Sequence, residues 1–260
     1  MFTLNFKTMA KNLNSDSEQQ VLQAWKNPLN RRSFLRYTGA GVAASAILLT
    51  GCDDDDDSTV TDNMPGAVNL GSGDVGVLNY AYALEQLEAA FYTAVVALPN
   101  FSTLFTSATE RQVLTDIRNH EIAHREFFKA AITGAAASQI IPSLTPNLPA
   151  NALSSRASIL NLAKTFEDLG VAAYNGAGKL ITNPTYLGIA GKIVSVEARH
   201  AAEIRDMIEN GTFASGAAGI TAGNIVDANG LDVALTPTQV LAAAQPFIRE
   251  TINGNNLPTN

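Results

Sequence analysis

The sequence predicts an all-α protein: a four-helix bundle with one long crossover between helices 2 and 3, followed by a short C-terminal helix. Three observations predict it. Of 260 residues, 46% are apolar, with Ala prominent and few β-branched runs, a composition that favours helices over strands. Apolar residues recur at helical spacing over four long segments. The connections between those segments run short, long, short, and the long one carries Pro142, Pro146 and Pro149.

The first 51 residues read as an address and are set apart from the fold. Arg31 and Arg32, followed by Phe34, Leu35 and Arg36, precede a Gly/Ala-rich apolar run of about fourteen residues that is short for a membrane span. This resembles a twin-arginine export signal, departing from the usual pattern at Asn30. Leu49-Thr50-Gly51-Cys52 resembles a lipobox, in which the Cys is lipidated and becomes the mature N-terminus. A single cysteine excludes an internal disulfide. Residues 52–73 are acidic and without periodicity, as in a disordered tether. The expected product is exported and extracytoplasmic or periplasmic, and touches a membrane only through the lipid on Cys52.

The bundle is expected over 74–210. Asp74 is placed to cap a helix reaching about Leu98, where Pro99-Asn100 stops it. Ser107 and Glu110 have capping-box spacing and open a second helix ending near Thr133-Gly134. A third helix runs from about Ser155 to Ile181. Asn183-Pro184 gives the fourth its cap and first turn, and Asn210-Gly211 its end. In the C-terminal extension, 211–260, Thr236-Pro237 starts a short fifth helix that Pro246 should kink. That helix is expected to pack on the bundle or to mediate a contact in a homo-oligomer.

Two stretches say nearly the same thing. Glu85 is followed seven residues later by Tyr92, then by Glu121-x-x-His124; Glu167 is followed by Tyr174, then by Glu197-x-x-His200. On a helix, i and i+3 lie about 60° apart and i and i+7 nearly eclipse. All four glutamates fall on the apolar stripes of their helices, where unpaired carboxylates are costly and repel one another. Lys164 and Arg199 lie on neighbouring turns but off those stripes. Two divalent cations would balance four carboxylates, with two neutral imidazoles completing the set. Such mixed ligands suit iron or manganese better than structural zinc. Glu88 could join as an extra ligand, although an ion pair on the bundle's flank is the stronger expectation. His120 is expected to be an exposed helix residue; Asp116 and Asp168 could orient a ligand histidine, although surface acids are the stronger expectation.

Beyond residue 51 there are 11 basic and 22 acidic residues, which argues against nucleic acid and anionic lipid headgroups as partners.

These motifs resemble the ferritin-like di-metal carboxylate superfamily over about residues 74–210, and the likeness extends to exported bacterial ferritin-like proteins related to plant desiccation-associated proteins. The resemblance implies that Glu85 and Glu167 are terminal or bridging ligands, with Glu121/His124 and Glu197/His200 completing the two metals; which carboxylates bridge stays open. Tyr92 and Tyr174 are candidate catalytic residues that could hydrogen-bond the ligands or relay an electron, or be core tyrosines with satisfied hydroxyls. The expected function is a di-iron or di-manganese oxidoreductase handling small oxygen species (O2 or peroxide) or Fe(II). The alternative is a non-enzymatic stress-related protein whose metal staples the bundle. A lipid anchor and a tether disfavour a closed storage cage.

Overall fold

The computed structural model describes residues 66–214, 225–227 and 229–259. The signal, Cys52 and the tether up to residue 65 lie outside the described residues. Four long helices form the bundle: α1 (Gly73–Val96), α2 (Ala108–Ala136), α3 (Arg156–Ala177) and α4 (Pro184–Ile208). A short α5 (Pro237–Ala244) follows, and two-residue strands β1 (Val68–Asn69) and β2 (Ile252–Asn253) pair in parallel. α1 packs mainly on α2 and α3 on α4, and the two hairpins meet through α1 with α3 and α2 with α4. The expected all-α bundle and its single crossover are what is found. Among the described residues no helix is long and apolar enough to cross a membrane.

Local chemistry sets the helix ends. Asn183 accepts hydrogen bonds from the backbone N–H groups of Thr185 and Tyr186, and Pro184 fills the first turn of α4. Ser155 and Ser158 form a reciprocal capping box at α3, as do Thr236 and Gln239 at α5. At α2 only half of the expected box forms. Ser107 caps the backbone of Glu110, while the Glu110 carboxylate pairs with Arg156 and ties the start of α2 to the start of α3. Pro246 ends α5 rather than kinking it, and the chain continues as a 3₁₀ turn over Gln245–Phe247. Asp74 does not cap α1. Its carboxylate accepts from the N–H groups of Thr182 and Asn183 at 2.7 and 2.8 Å, fastening α1 to the loop before α4.

α1 is the central element, buried on nearly every side from Gly76 to Ala89. The expected inner face is there, but the crossover covers the outer one. Asn79 donates to the carbonyls of Leu70 and Gln139 and accepts from Ile141 N–H. Two turns on, Gln86 accepts from Leu144 N–H. The strap is then held from outside by the C-terminal segment, where Asn147 N–H donates to Phe247 C=O and Arg249 N–H to Thr145 C=O. Residues 66–73, read from sequence as the end of the tether, are folded: β1 pairs with β2 and Leu70 is fully buried.

α5 packs on α3. Phe247, just beyond it, sets its ring 5.0 Å from Phe166, which in turn lies 5.2 Å from Phe91. The backbone reaches α3 most closely at Gly176, where an added Cβ would sit 1.7 Å from the Leu235 carbonyl oxygen. Gly176→Ala is therefore expected to destabilise the protein by about 1–3 kcal/mol through overpacking, read as a lowered denaturant midpoint.

Candidate metal centre

Each long helix contributes from its inner stripe. α1 supplies Glu85, α2 Glu121 and His124, α3 Glu167, and α4 Glu197 and His200. The i,i+3 spacing puts each Glu-His pair on one face, and antiparallel packing brings the pairs together. All four glutamates are 0% exposed and His200 is 4% exposed. The His124 side chain, at 13%, is the outermost of the six.

These side chains sort into two clusters, Glu85, Glu121, His124 and Glu197, and Glu121, Glu167, Glu197 and His200. The division holds atom by atom. His124 Nδ1 lies 2.8 Å from Glu197 Oε1, 3.4 Å from Glu121 Oε2 and 3.5 Å from Glu85 Oε2. His200 Nδ1 lies 2.7 Å from Glu121 Oε1, 3.4 Å from Glu167 Oε2 and 4.0 Å from Glu197 Oε2. Glu121 and Glu197 thus turn one oxygen to each side, whereas Glu85 and Glu167 serve one side each. Glu121 and Glu197 are thus the two glutamates common to both clusters.

The remaining oxygens of Glu85 and Glu167 are held by the two tyrosines, across the bundle. Tyr92 donates to Glu167 Oε1 at 2.5 Å, and Tyr174 donates to Glu85 Oε1. Each hairpin's tyrosine therefore fixes the other hairpin's glutamate. Burial, and then the charges of those same glutamates, push both phenols well above the ordinary tyrosine range. They stay protonated donors.

The facing atoms tell what is absent from the protein's own chemistry. Glu85 Oε2, Glu167 Oε2, both oxygens of Glu121 and Glu197, and Nδ1 of both histidines are buried without a properly aligned hydrogen bond. Buried polar atoms are nearly always satisfied, and eight of them converging on one another are what a cation site requires. Four fall on each side: three carboxylate oxygens and one imidazole nitrogen. The donor set fits iron or manganese.

Protons hold the cage when cations do not. Burial pushes Glu85 up to about 7 and also raises Glu167 and Glu197. Glu121 feels the same burial, but the two histidines outweigh it and bring its carboxyl down to about 2. Burial disfavours both imidazoliums, yet the surrounding carboxylates win, raising His200 to about 11 and lifting His124 as well. A metal entering the cage displaces such protons.

Two residues assigned elsewhere by sequence belong here. His120 is exposed, as expected, but its Nδ1 lies 2.9 Å from His200 Nε2 and the rings stack. Were His200 Nδ1 to bind a cation, its Nε2 would carry the hydrogen and donate to His120, which would then orient the ring. The i,i+4 spacing of His120 and His124 was the available signal. Glu88 is 3% exposed and not on the flank; its signal was the Glu-x-x-Glu on α1. Asp168 pairs with Arg205 and Lys164 and does not orient a histidine. Asp116 is exposed and accepts from Gln112.

Residues 73–210 match a family described as a ferritin-like domain. No curated protein matches the chain.

Proposed function

The chain belongs to the ferritin-like domain family, and from that premise we propose that its buried carboxylate–imidazole cage holds two iron or manganese ions and acts as an oxidoreductase on O2, peroxide or Fe(II). The observation that carries this reading is the division of eight buried ligand atoms, none in an aligned hydrogen bond, into two sets of four, with Glu121 and Glu197 common to both. Bound iron or manganese supplies the redox couple for electron exchange with such a substrate.

The chain's own residues do the rest. Glu85 and Glu121 with His124 would bind one ion, Glu167 and Glu121 with His200 the other, and Glu197 both. Tyr92 and Tyr174 each hold a proton on a ligand carboxylate and keep its second oxygen turned inward. Complete burial of the four glutamates excludes bulk water and strengthens every charge interaction inside the cage. His124 is the most exposed of the six and so the point at which the cage comes nearest to solvent. Export by the twin-arginine route and anchoring by a lipid on Cys52 belong to the same proposal, on the strength of Arg31, Arg32 and the Leu49–Cys52 motif. That route carries folded proteins, so a metal could be loaded before export.

The test is to purify the full chain, quantify iron and manganese, and follow peroxide decay and Fe(II) oxidation. Turnover that is lost in Glu121→Ala and His200→Ala supports the proposal. Metal retained without turnover overturns the oxidoreductase half and leaves a metal-stapled structural protein. A chain that takes up no metal on reconstitution overturns both.

A further inference from the structure

We propose that Glu88 is a seventh metal-binding side chain, joining the ion on the Glu167/His200 side, and that Gly170 exists in α3 to leave room for it. The inference rests on the di-metal reading and deepens it by making the two ion positions chemically unequal.

Glu88 stands one turn beyond Glu85 on α1 and is 3% exposed. Among the described residues no hydrogen bond or ion pair reaches it. Burial and then the charges of Glu197, Glu121, Glu85 and Glu167 drive its carboxyl well above the ordinary range. A carboxylate in that position is strongly disfavoured unless a cation compensates it.

Its placement says which cation. A Cβ built on Gly170 would lie 3.1 Å from Glu88 Oε1 and 3.5 Å from Glu197 Oε2. Both oxygens therefore border the one space that a side chain at position 170 would fill. Glu197 Oε2 is the oxygen turned towards His200, at 4.0 Å. Glu88 Oε1 thus lies towards the side of the cage that Glu197 Oε2 faces, just outside the cluster of Glu121, Glu167, Glu197 and His200, although Glu85, on the same helix, serves the His124 side.

The repeat points the same way. Three residues after its first glutamate, one half has Glu88 and the other Gly170; seven residues after, both have tyrosine. At this offset a large acidic side chain on one helix corresponds to none on the other. Counting Glu88, five carboxylates surround the centre against the +4 of two divalent ions. The His200 side then offers five donors and the His124 side four. The fuller, more anionic position suits the harder or more highly charged ion.

The test titrates Co(II) into metal-free full chain, read by calorimetry and by visible ligand-field absorption, for the natural protein, Glu88→Gln and Gly170→Ala. Gln keeps the shape without the charge, so the metal-free variant should unfold at a temperature no lower than the natural protein. One of its two binding events should weaken tenfold or more, with the absorption of that ion alone changed. Gly170→Ala, whose methyl group would press on Glu88 Oε1 at 3.1 Å, should weaken the same binding event, by less than Glu88→Gln does. Affinities within twofold of the natural protein and unchanged spectra in both variants overturn the proposal and leave Glu88 a buried neutral acid. A natural chain that binds no Co(II) instead overturns the metal reading beneath it.

Discussion

Glu121→Ala is expected to leave the protein with no bound metal, and Glu197→Ala likewise, whereas Glu85→Ala and Glu167→Ala should each retain one ion per chain. The difference follows from which oxygens face where. Glu121 and Glu197 each lend an oxygen to both clusters, so either substitution strips one donor from each side at once. Glu85 and Glu167 contribute a single free oxygen, the other being taken by Tyr174 or Tyr92. The substitutions should keep the helix content of the bundle, although Glu121→Ala also removes the carboxylate that both histidines hold ionised. The measurement is metal per chain after reconstitution and desalting, with circular dichroism to confirm helix content. One ion retained by Glu121→Ala together with none retained by Glu85→Ala would reverse the assignment.

Removing the metal is expected to cost more stability than any single substitution described above. Empty, the cage confines five glutamates that only protons and two imidazoliums restrain. An ion that binds the folded state alone contributes about 4 kcal/mol when free metal exceeds its Kd a thousandfold. For two such ions, at about 2–4 °C per kcal/mol for a domain of this size, the midpoint should fall by roughly 15 °C or more on chelation. Thermal unfolding of the manganese-loaded chain before and after excess chelator reads this directly. A midpoint unmoved by chelation, in a chain shown to have carried two ions, would mean that the cage is no more stable filled than empty.

What was legible in the sequence was what a helix places side by side. The i,i+3 and i,i+7 relations of Glu121, His124, Glu197, His200, Tyr92 and Tyr174 are local, so the site's ingredients and their inward direction could be read from spacing alone. The same holds for Asn183-Pro184 and Thr236-Pro237, whose caps involve the next three residues. Relations between distant segments could not be read this way. His120 meets His200 across 80 residues, and Tyr92 meets Glu167 across 75. Asp74 has the composition of a cap but finds its donors 108 and 109 residues away. α1 looks two-faced in sequence because nothing nearby shows that the crossover and the C-terminal segment will close over its outer side. Glu88 is the instructive case: the motif was visible, but a flank ion pair was a fair expectation until the side chain proved buried, with no lysine or arginine paired to it among the described residues.

The exchange of tyrosines between hairpins bears on how an ion could leave. An ion on either side would be gripped by helices of both hairpins, and the carboxylate nearest each histidine nitrogen belongs to the opposite hairpin. Fraying one helix loosens both positions unevenly, but parting the hairpins dismantles both in a single event. Two ions so held would depart together, at the rate at which the halves separate. Loss of metal would then act as a clock for that opening.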